Sequence, residues 1–340
     1  MQTVNNYLGI DIAAKTFTVS LYREDQGALP ALEYPNTVAG FEQLACWFSQ
    51  QRVLPENSVL CLEASGVYTE ALCYYFHRHQ YRLVVESPKK AKQAFQAEDK
   101  DDAIDAQQLG EYAYRYFDKL LFWEPKSQRV EQVNTLLGLR EQFAKHLTAH
   151  KNELKALRSK VMQTPFALAL LEQSIPELAG KIQQIEEELQ RLLAQDPPAQ
   201  HKLQALRTLP GVGLLLPLNL FAFTEGFQGA LHAKKIAARL GIVPRKHQSG
   251  SSVYRKPKSR REGHTRLRKL LYLAAMSVKQ HDPKFKKYYL RMAAQGKPGR
   301  LILNNIANKL LRIICAMLNA NAPFIENYQS INPALLKKTA

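Results

Sequence analysis
The chain has 340 residues, of which 46% are hydrophobic and 23% charged, a balance that suits two or three globular domains and excludes a disordered or collagen-like protein. Its net charge of +17 is unevenly spread: residues 1–124 hold 11 Lys/Arg against 17 Asp/Glu, a net of −6, and residues 125–340 hold 36 against 13, a net of +23. An acidic front joined to a basic back points to a carboxylate-based catalytic domain coupled to a polyanion-binding domain. The four cysteines (Cys46, Cys61, Cys73 and Cys315) form no C-x-x-C pair, sit among apolar residues and read as reduced core positions, without a disulfide framework or zinc site. No basic-then-apolar leader opens the chain and no uninterrupted apolar run reaches about 18 residues, so the expectation is a cytoplasmic protein with no membrane partner.

Residues 6–12, 17–22 and about 31–36 read as three strands joined by tight turns, Gln26-Gly27 marking one of them. The first carries a single acid, Asp11, in apolar company. A carboxylate there is costly to bury unless a metal or cation compensates it, although capping the hairpin turn is the plainer role. Residues 38–52 have helical spacing through Phe41, Leu44, Ala45 and Phe48. Ser58–Glu63 is an apolar run of the buried parallel-strand kind and again ends in an acid, Glu63. Ala64-Ser65-Gly66 makes the turn, residues 67–79 a helix, Arg82–Glu86 a strand stopped by Pro88, and residues 89–97 and 100–117 two further helices. The order βββαβαβα is that of ribonuclease-H-like domains, so the front is predicted to be α/β with a mixed sheet, a fold in which ligands gather at the carboxyl ends of strands. Asp102 and Asp105, or Asp101 and Asp105, share one helix face, and spacing alone does not choose between the pairs; a solvated acidic helix start is the plainer role. Asp11, Glu63, Asp102 and Asp105 together offer four hard oxygen donors, a set suited to two Mg²⁺ ions about 4 Å apart clamping a phosphodiester.

Past Trp123-Glu124-Pro125 the character changes. Apolar positions from Phe143 through Leu147, Leu154, Leu157 and Val161, then from Ile175 through Leu178, Ile182, Ile185, Leu189 and Leu192, follow heptad spacing on either side of Thr164-Pro165. They predict two long helices forming a coiled-coil hairpin, a dimer seam or a plain intramolecular pair, ended by Asp196-Pro197-Pro198. Leu209-Pro210-Gly211-Val212-Gly213 opens an apolar helix over 214–223; its glycines resemble a helix–hairpin–helix turn holding a DNA phosphate, and a tight structural turn explains them equally well. Residues 245–269 hold ten Lys/Arg and one acid. Arg245, Lys246, Arg255, Lys256, Lys258, Arg260 and Arg261 there are candidate phosphate contacts. The cluster Ser249-Gly250-Ser251-Ser252 is either part of a flexible basic loop or a source of a nucleophilic hydroxyl, with neighbouring cations stabilising the charge of a phosphorane. Helices over 266–280 and 300–319, joined at Gln295–Gly299, complete the back, and the chain from Asn332 reads as a loose tail.

Taken in order, Gly9-Ile10-Asp11, Glu63-Ala64-Ser65-Gly66-Val67-Tyr68, Asp102-Ala103-Ile104-Asp105-Ala106, Leu209–Gly213, Gly241-Ile242-Val243-Pro244-Arg245, Ser249–Ser252 and Gly263-His264 ahead of Leu267–Tyr272 resemble the DEDD-type transposases and invertases of bacterial insertion sequences, the IS-one-ten and Piv-like family. The resemblance spans nearly the whole chain. It implies a RuvC-like catalytic domain over 1–124, a coiled coil over 125–198, a C-terminal transposase domain over 199–330 and a tail over 331–340. It implies site-specific recombination of target and donor DNA guided by a structured bridge RNA, with Mg²⁺ (or Mn²⁺ in its place) on Asp11, Glu63, Asp102 and Asp105. It also puts the nucleophile on Ser249 rather than Ser251 or Ser252, and implies a homodimer pairing into a tetramer in which one subunit's acids meet another's serine. Ser65 stands where Thr is usual, and the basic run after Ser252 is richer than the family pattern. Two rivals are a RuvC-like endonuclease that hydrolyses DNA with metal-activated water, and a non-catalytic nucleic-acid scaffold with degenerate acids.

Overall fold
A computed structural model of the chain describes residues 4–88, 90, 94–95, 101–249, 253–259 and 263–326. The chain divides into two compact units, Met1–Pro125 and Lys126–Ala340.

The first unit is a six-stranded mixed sheet. Its strands are β1 (Asn6–Ile12), β2 (Thr16–Arg23), β3 (Gly27–Ala28), β4 (Leu32–Pro35), β5 (Ser58–Glu63) and β6 (Arg82–Glu86), ordered β3-β2-β1-β5-β6 with β4 also paired to β2. β1 and β2 form an antiparallel hairpin in which Asp11 faces Thr18, whereas β1–β5 and β5–β6 are parallel. Helices α1 (Val38–Gln50) and α2 (Glu70–Arg78) cover one face. There Leu8, Ile10, Phe41, Phe48, Leu62 and Phe76 share a core. Helix α3 (Asp102–Arg115) covers the other, packing Leu109, Tyr112 and Ala113 on Tyr7, Val59, Cys61 and Val84. Burial on both faces is why β1 and β5 read as nearly continuous apolar runs.

The contact of α3 with β1 is unusually close. A Cβ added at Gly9 would lie 1.9 Å from the Ala106 carbonyl oxygen and 2.3 Å from the Gly110 nitrogen, and one added at Gly110 would lie 3.1 Å from the Tyr7 carbonyl oxygen. Two glycines thus let the helix rest on the strand backbone. Tyr7 also packs edge-on against Tyr114, so α3 runs antiparallel to β1 with its N-terminus at the Asp11 end.

The second unit is mostly helical: α4 (Gln128–Arg158), α5 (Pro165–Ala194), α6 (Pro197–Arg207), α7 (Leu215–Phe223), α8 (Ala233–Arg239), α9 (Thr265–His281), α10 (Pro283–Ala294) and α11 (Gly299–Ala320), with one antiparallel hairpin of β7 (Pro244–Ser249) and β8 (Val253–Ser259). α4 and α5 lie antiparallel, tied by Arg140–Glu186 at 2.7 Å, His150–Ser174 at 2.8 Å and Arg158–Glu172 at 2.6 Å. Their seam is buried at Leu154, Ile185 and Leu189, but Val161 lies beyond the end of α4 and is 99% exposed. α11 is long and apolar enough by composition to cross a membrane, yet half of that stretch is buried, and Ile302, Ile306, Leu310 and Ile314 anchor the core of the unit.

Several elements depart from expectation. α4 begins at Gln128, well before Phe143, because Ser127 caps it by accepting from the Val130 N–H. Asp196-Pro197-Pro198 ends the helical pair but also starts α6: the Asp196 carboxylate accepts from the Ala199 N–H, and a proline suits the first helical turn. Asp282-Pro283 starts α10 in the same way. The basic segment after Pro244 is a strand hairpin rather than a loop. Cys46 is exposed, unlike the three buried cysteines, since it lies on the outer side of α1. Most of the helix expected over 89–97, and the tail over 331–340, lie outside the described residues.

Gly9→Ala forces α3 off the sheet and is expected to cost more than about 3 kcal/mol in urea unfolding, as overpacking against backbone does. Gly138→Ala, on α4 with nothing within 4 Å of its new Cβ, is expected to stabilise by about 1 kcal/mol. Similar unfolding midpoints for the two variants would contradict the close helix–strand contact.

Candidate active site
Four carboxylates come from three elements of the first unit. Asp11 is the penultimate residue of β1. Glu63 ends β5, one step past the last parallel pair, Ile10 with Leu62, so Asp11 and Glu63 stand side by side at the carboxyl ends of neighbouring strands. Asp102 and Asp105 lie in the first turn of α3, whose N-terminus the Gly9–Gly110 contact holds at that end of the sheet. Asp101 is used otherwise: its backbone is extended and its carboxylate accepts from the Ala103 N–H at 3.1 Å, capping the helix. Asp102 and Asp105 are therefore the pair left for the sheet end.

Burial first, and then the negative charges of Asp102, Asp105 and Glu63, push the Asp11 carboxyl up from its ordinary 3.8 to about 6. All four groups thus share one electrostatic neighbourhood. Among the described residues no three acidic, histidine or cysteine side chains converge tightly enough to hold an ion as they stand. The chemistry of the donor set fits a divalent cation: every donor is a carboxylate oxygen, and three neighbouring anions add to burial in disfavouring the ionised form of Asp11. Beside it, the buried Ser65 Oγ, two residues past Glu63, has no hydrogen-bond partner among the described residues, and neither does Asn36 Oδ1. The Asn36 amide donates to the carbonyls of Ala13 and Tyr68, tying the β1–β2 turn to the segment after Glu63.

One acid at this end went unread in the sequence. Glu86 ends β6 in register with Glu63. Its carboxylate accepts from the Tyr112 hydroxyl at 3.2 Å and the Ser87 N–H at 2.9 Å and pairs with Lys90 at 3.1 Å. The signal was present, since Glu86 closes an apolar strand just as Glu63 does.

The basic candidates lie in the second unit. Ser249 is the last residue of β7, paired in register with Val253; Arg245 pairs with Lys258 and His247 with Arg255, and Lys246 and Lys256 lie on the same two strands. Ser251, Ser252, Arg260 and Arg261 lie outside the described residues. Gly211 has φ +77°, and a Cβ there would meet Val278 Cγ1 at 2.8 Å and the Ala274 carbonyl oxygen at 3.0 Å, so packing against α9 already requires a glycine; Gly213 faces open space. Gly263 and His264 also have structural roles. Gly263 at φ +125° passes close to the Arg239 carbonyl, and His264 Nδ1 accepts from the Leu267 N–H to cap α9.

The raised Asp11 pKa means that the folded protein binds its proton more tightly than the unfolded chain, so stability falls as pH rises from about 4 to about 6 and is level above that. Asp11→Asn removes this penalty. In EDTA at neutral pH the variant is expected to exceed the parent by about 1 kcal/mol, a figure discounted for solvent screening of a half-exposed group. The gain should vanish below about pH 4. An equal gain at both pH values, in urea titrations, would show that the folded site does not raise the proton affinity of Asp11.

Comparison with known proteins places the chain. The model of DEDD-type IS110 transposases, described as "Transposase", matches residues 8–162, and the model described as "Transposase IS116/IS110/IS902 family" matches residues 203–290. The pilin gene-inverting protein of Moraxella bovis is 28% identical over 325 residues, 94% of this chain and 97% of the relative. The transposase for insertion sequence element IS1111A of Coxiella burnetii is 26% identical over 68% of this chain and 70% of its own length, and that for IS1328 of Yersinia enterocolitica 25% over 69% and 75%. The first match spans all four carboxylates, the second spans Ser249, and a DEDD-type family points to a divalent metal ion. The chain belongs to the IS110 family of insertion-sequence transposases, enzymes that recombine DNA.

Proposed function
We propose that the chain is a site-specific DNA recombinase in which Ser249 is the nucleophile and Asp11, Glu63, Asp102 and Asp105 hold Mg²⁺ or Mn²⁺ in a RuvC-like domain. The observation that carries this reading is the placement of four acids from β1, β5 and α3 at one sheet end, where burial first and then the other three charges raise the proton affinity of Asp11. When bound, a divalent ion neutralises and orients the phosphate. The protein's own part is to hold α3 against β1 through the Gly9–Gly110 contact and to carry Ser249 at the last position of β7, in a hairpin of strongly basic sequence. The Ser249 Oγ–P bond forms, the P–O bond to the departing strand breaks, and the serine proton passes to that leaving oxygen. Attack by a second strand's hydroxyl then reverses the link and restores the serine. In this reading the serine of one subunit meets the acids of another, within a homodimer that pairs into a tetramer, in the cytoplasm.

The net +23 of residues 125–340 supports binding of both DNA and a structured bridge RNA, with Arg245, Lys246, Arg255, Lys256, Lys258, Arg260 and Arg261 on phosphates and the Gly211–Gly213 turn a further phosphate contact. The name of the pilin gene-inverting relative, which rearranges a gene, favours strand exchange over hydrolysis by a metal-activated water.

Incubation with labelled donor and target DNA, the element's RNA and Mg²⁺, followed by denaturation, is expected to leave label covalently on the protein. Ser249→Ala should abolish the adduct, and Glu63→Gln or EDTA should lower it at least about a hundredfold, the range for losing a charge-stabilising group. Cleavage without any adduct would establish the hydrolytic alternative. An unchanged adduct in Ser249→Ala would place the nucleophile elsewhere, Ser251 and Ser252 first.

A further inference from the structure
A cavity of about 400 Å³ opens in the second unit between α4, α7 and α9. Its walls are apolar, with Leu137 from α4, Leu215 from α7, and Leu270 and Leu273 from α9. Its rim carries Arg140, Lys145, Arg266 and Lys269. Only part of this charge is spent. Arg140 pairs with Glu186, and Arg266 and Lys145 share Glu141, while Lys269 makes no ion pair among the described residues. Two carboxylates against four cations leave the rim positive.

An uncharged polar side chain of α7 also faces the cavity. α7 reads Leu-Leu-Pro-Leu-Asn-Leu-Phe-Ala-Phe, and Asn219 is its one polar residue. It is 3% exposed and lines the cavity. Its Nδ2 donates to the Leu215 carbonyl at 2.8 Å, and its Oδ1, with no donor among the described residues, stays accessible from the cavity. An amide oxygen that faces a cavity from an otherwise apolar helix is placed to accept from a ligand's N–H. Apolar walls, one acceptor facing the cavity and a cationic rim together match a nucleotide: a flat base, its amino or imino hydrogens, and its phosphate. The volume lies in the range of small-ligand sites.

We propose that this cavity receives a single unpaired nucleotide of the nucleic acid the enzyme works on, its base between the leucines, an N–H of that base donating to Asn219 Oδ1, and its phosphate on Lys145 and Lys269. Extruding a base costs least where it is already unpaired, so the pocket recognises a bulge, loop or strand junction rather than a regular duplex. The inference rests on the chain being a nucleic-acid recombinase and adds a reader of unpaired structure to it. The nucleotide's source, DNA or RNA, is separated by the test.

The full chain is titrated by fluorescence anisotropy with a DNA duplex carrying one central bulged nucleotide, the same duplex fully paired, and the matching RNA pair. A preference of about tenfold for the bulged probe is expected in one of the two chemistries, which identifies the source. Asn219→Leu should remove that preference, and so should the double variant Lys145→Ser/Lys269→Ser, which changes only exposed side chains and decides the matter if Asn219→Leu fails to fold. The double variant should also flatten the salt dependence of bulge binding by up to about two counterions. No preference in either chemistry, or a preference surviving in the folded variants, overturns the inference. The covalent-adduct assay on the same parent keeps the two readings apart: an adduct without bulge preference rejects the pocket and leaves the recombinase intact, whereas bulge preference without an adduct does the reverse.

Discussion
Along β1 the chain offers α3 no side chain at Gly9, and α3 answers with Gly110, so a helix backbone rests directly on a strand backbone. The acid-bearing end of the first unit follows from that contact. It sets how near the first turn of α3 comes to the carboxyl ends of β1 and β5, and so whether Asp102 and Asp105 share a field with Asp11 and Glu63. Larger residues would let the same elements form with the helix standing farther off, and the acids would become four separate surface carboxylates. The Tyr112 hydroxyl on Glu86 fixes the same helix to β6.

Gathering these acids works against folding. Asp11 is half-buried, has three anionic neighbours and gains a proton far more readily than a free aspartate. The unpartnered Ser65 Oγ and Asn36 Oδ1 lie in the segments flanking Asp11 and Glu63. Such costs cluster where a protein keeps groups for a ligand instead of for its own stability. The apolar sheet beneath, with Leu8, Ile10, Leu60 and Leu62 fully buried, is what carries the burden.

Much of the first unit was legible in the sequence, because period-two and period-3.6 patterns report burial directly and the acids interrupt them at Asp11 and Glu63. What spacing left open was Asp101 against Asp102, since both lie within reach of Asp105 on a helix surface; an extended backbone at Asp101 and its bond to the Ala103 N–H resolve that. The second unit was harder to read. Asp196-Pro197 reads as a stop, yet it is a cap followed by a permissible first-turn proline, and Asp282-Pro283 starts in the same way a helix over Pro283–Ala294 that the sequence reading did not identify. The β7–β8 hairpin was hidden because its strands are made of Arg, Lys, His and Gln, which carry no apolar alternation. The cavity around Asn219 depends on three helices distant in sequence, and no local pattern announces it.

The central claim is that carboxylates from two strands and one helix form a single cation site. Crystals of the full chain soaked in manganese chloride, with anomalous diffraction recorded at the manganese edge, test it most directly. The account predicts anomalous density bounded by Asp11, Glu63, Asp102 and Asp105, and none there in Asp11→Asn crystals. Manganese bound elsewhere while these four acids keep their present separation would contradict it.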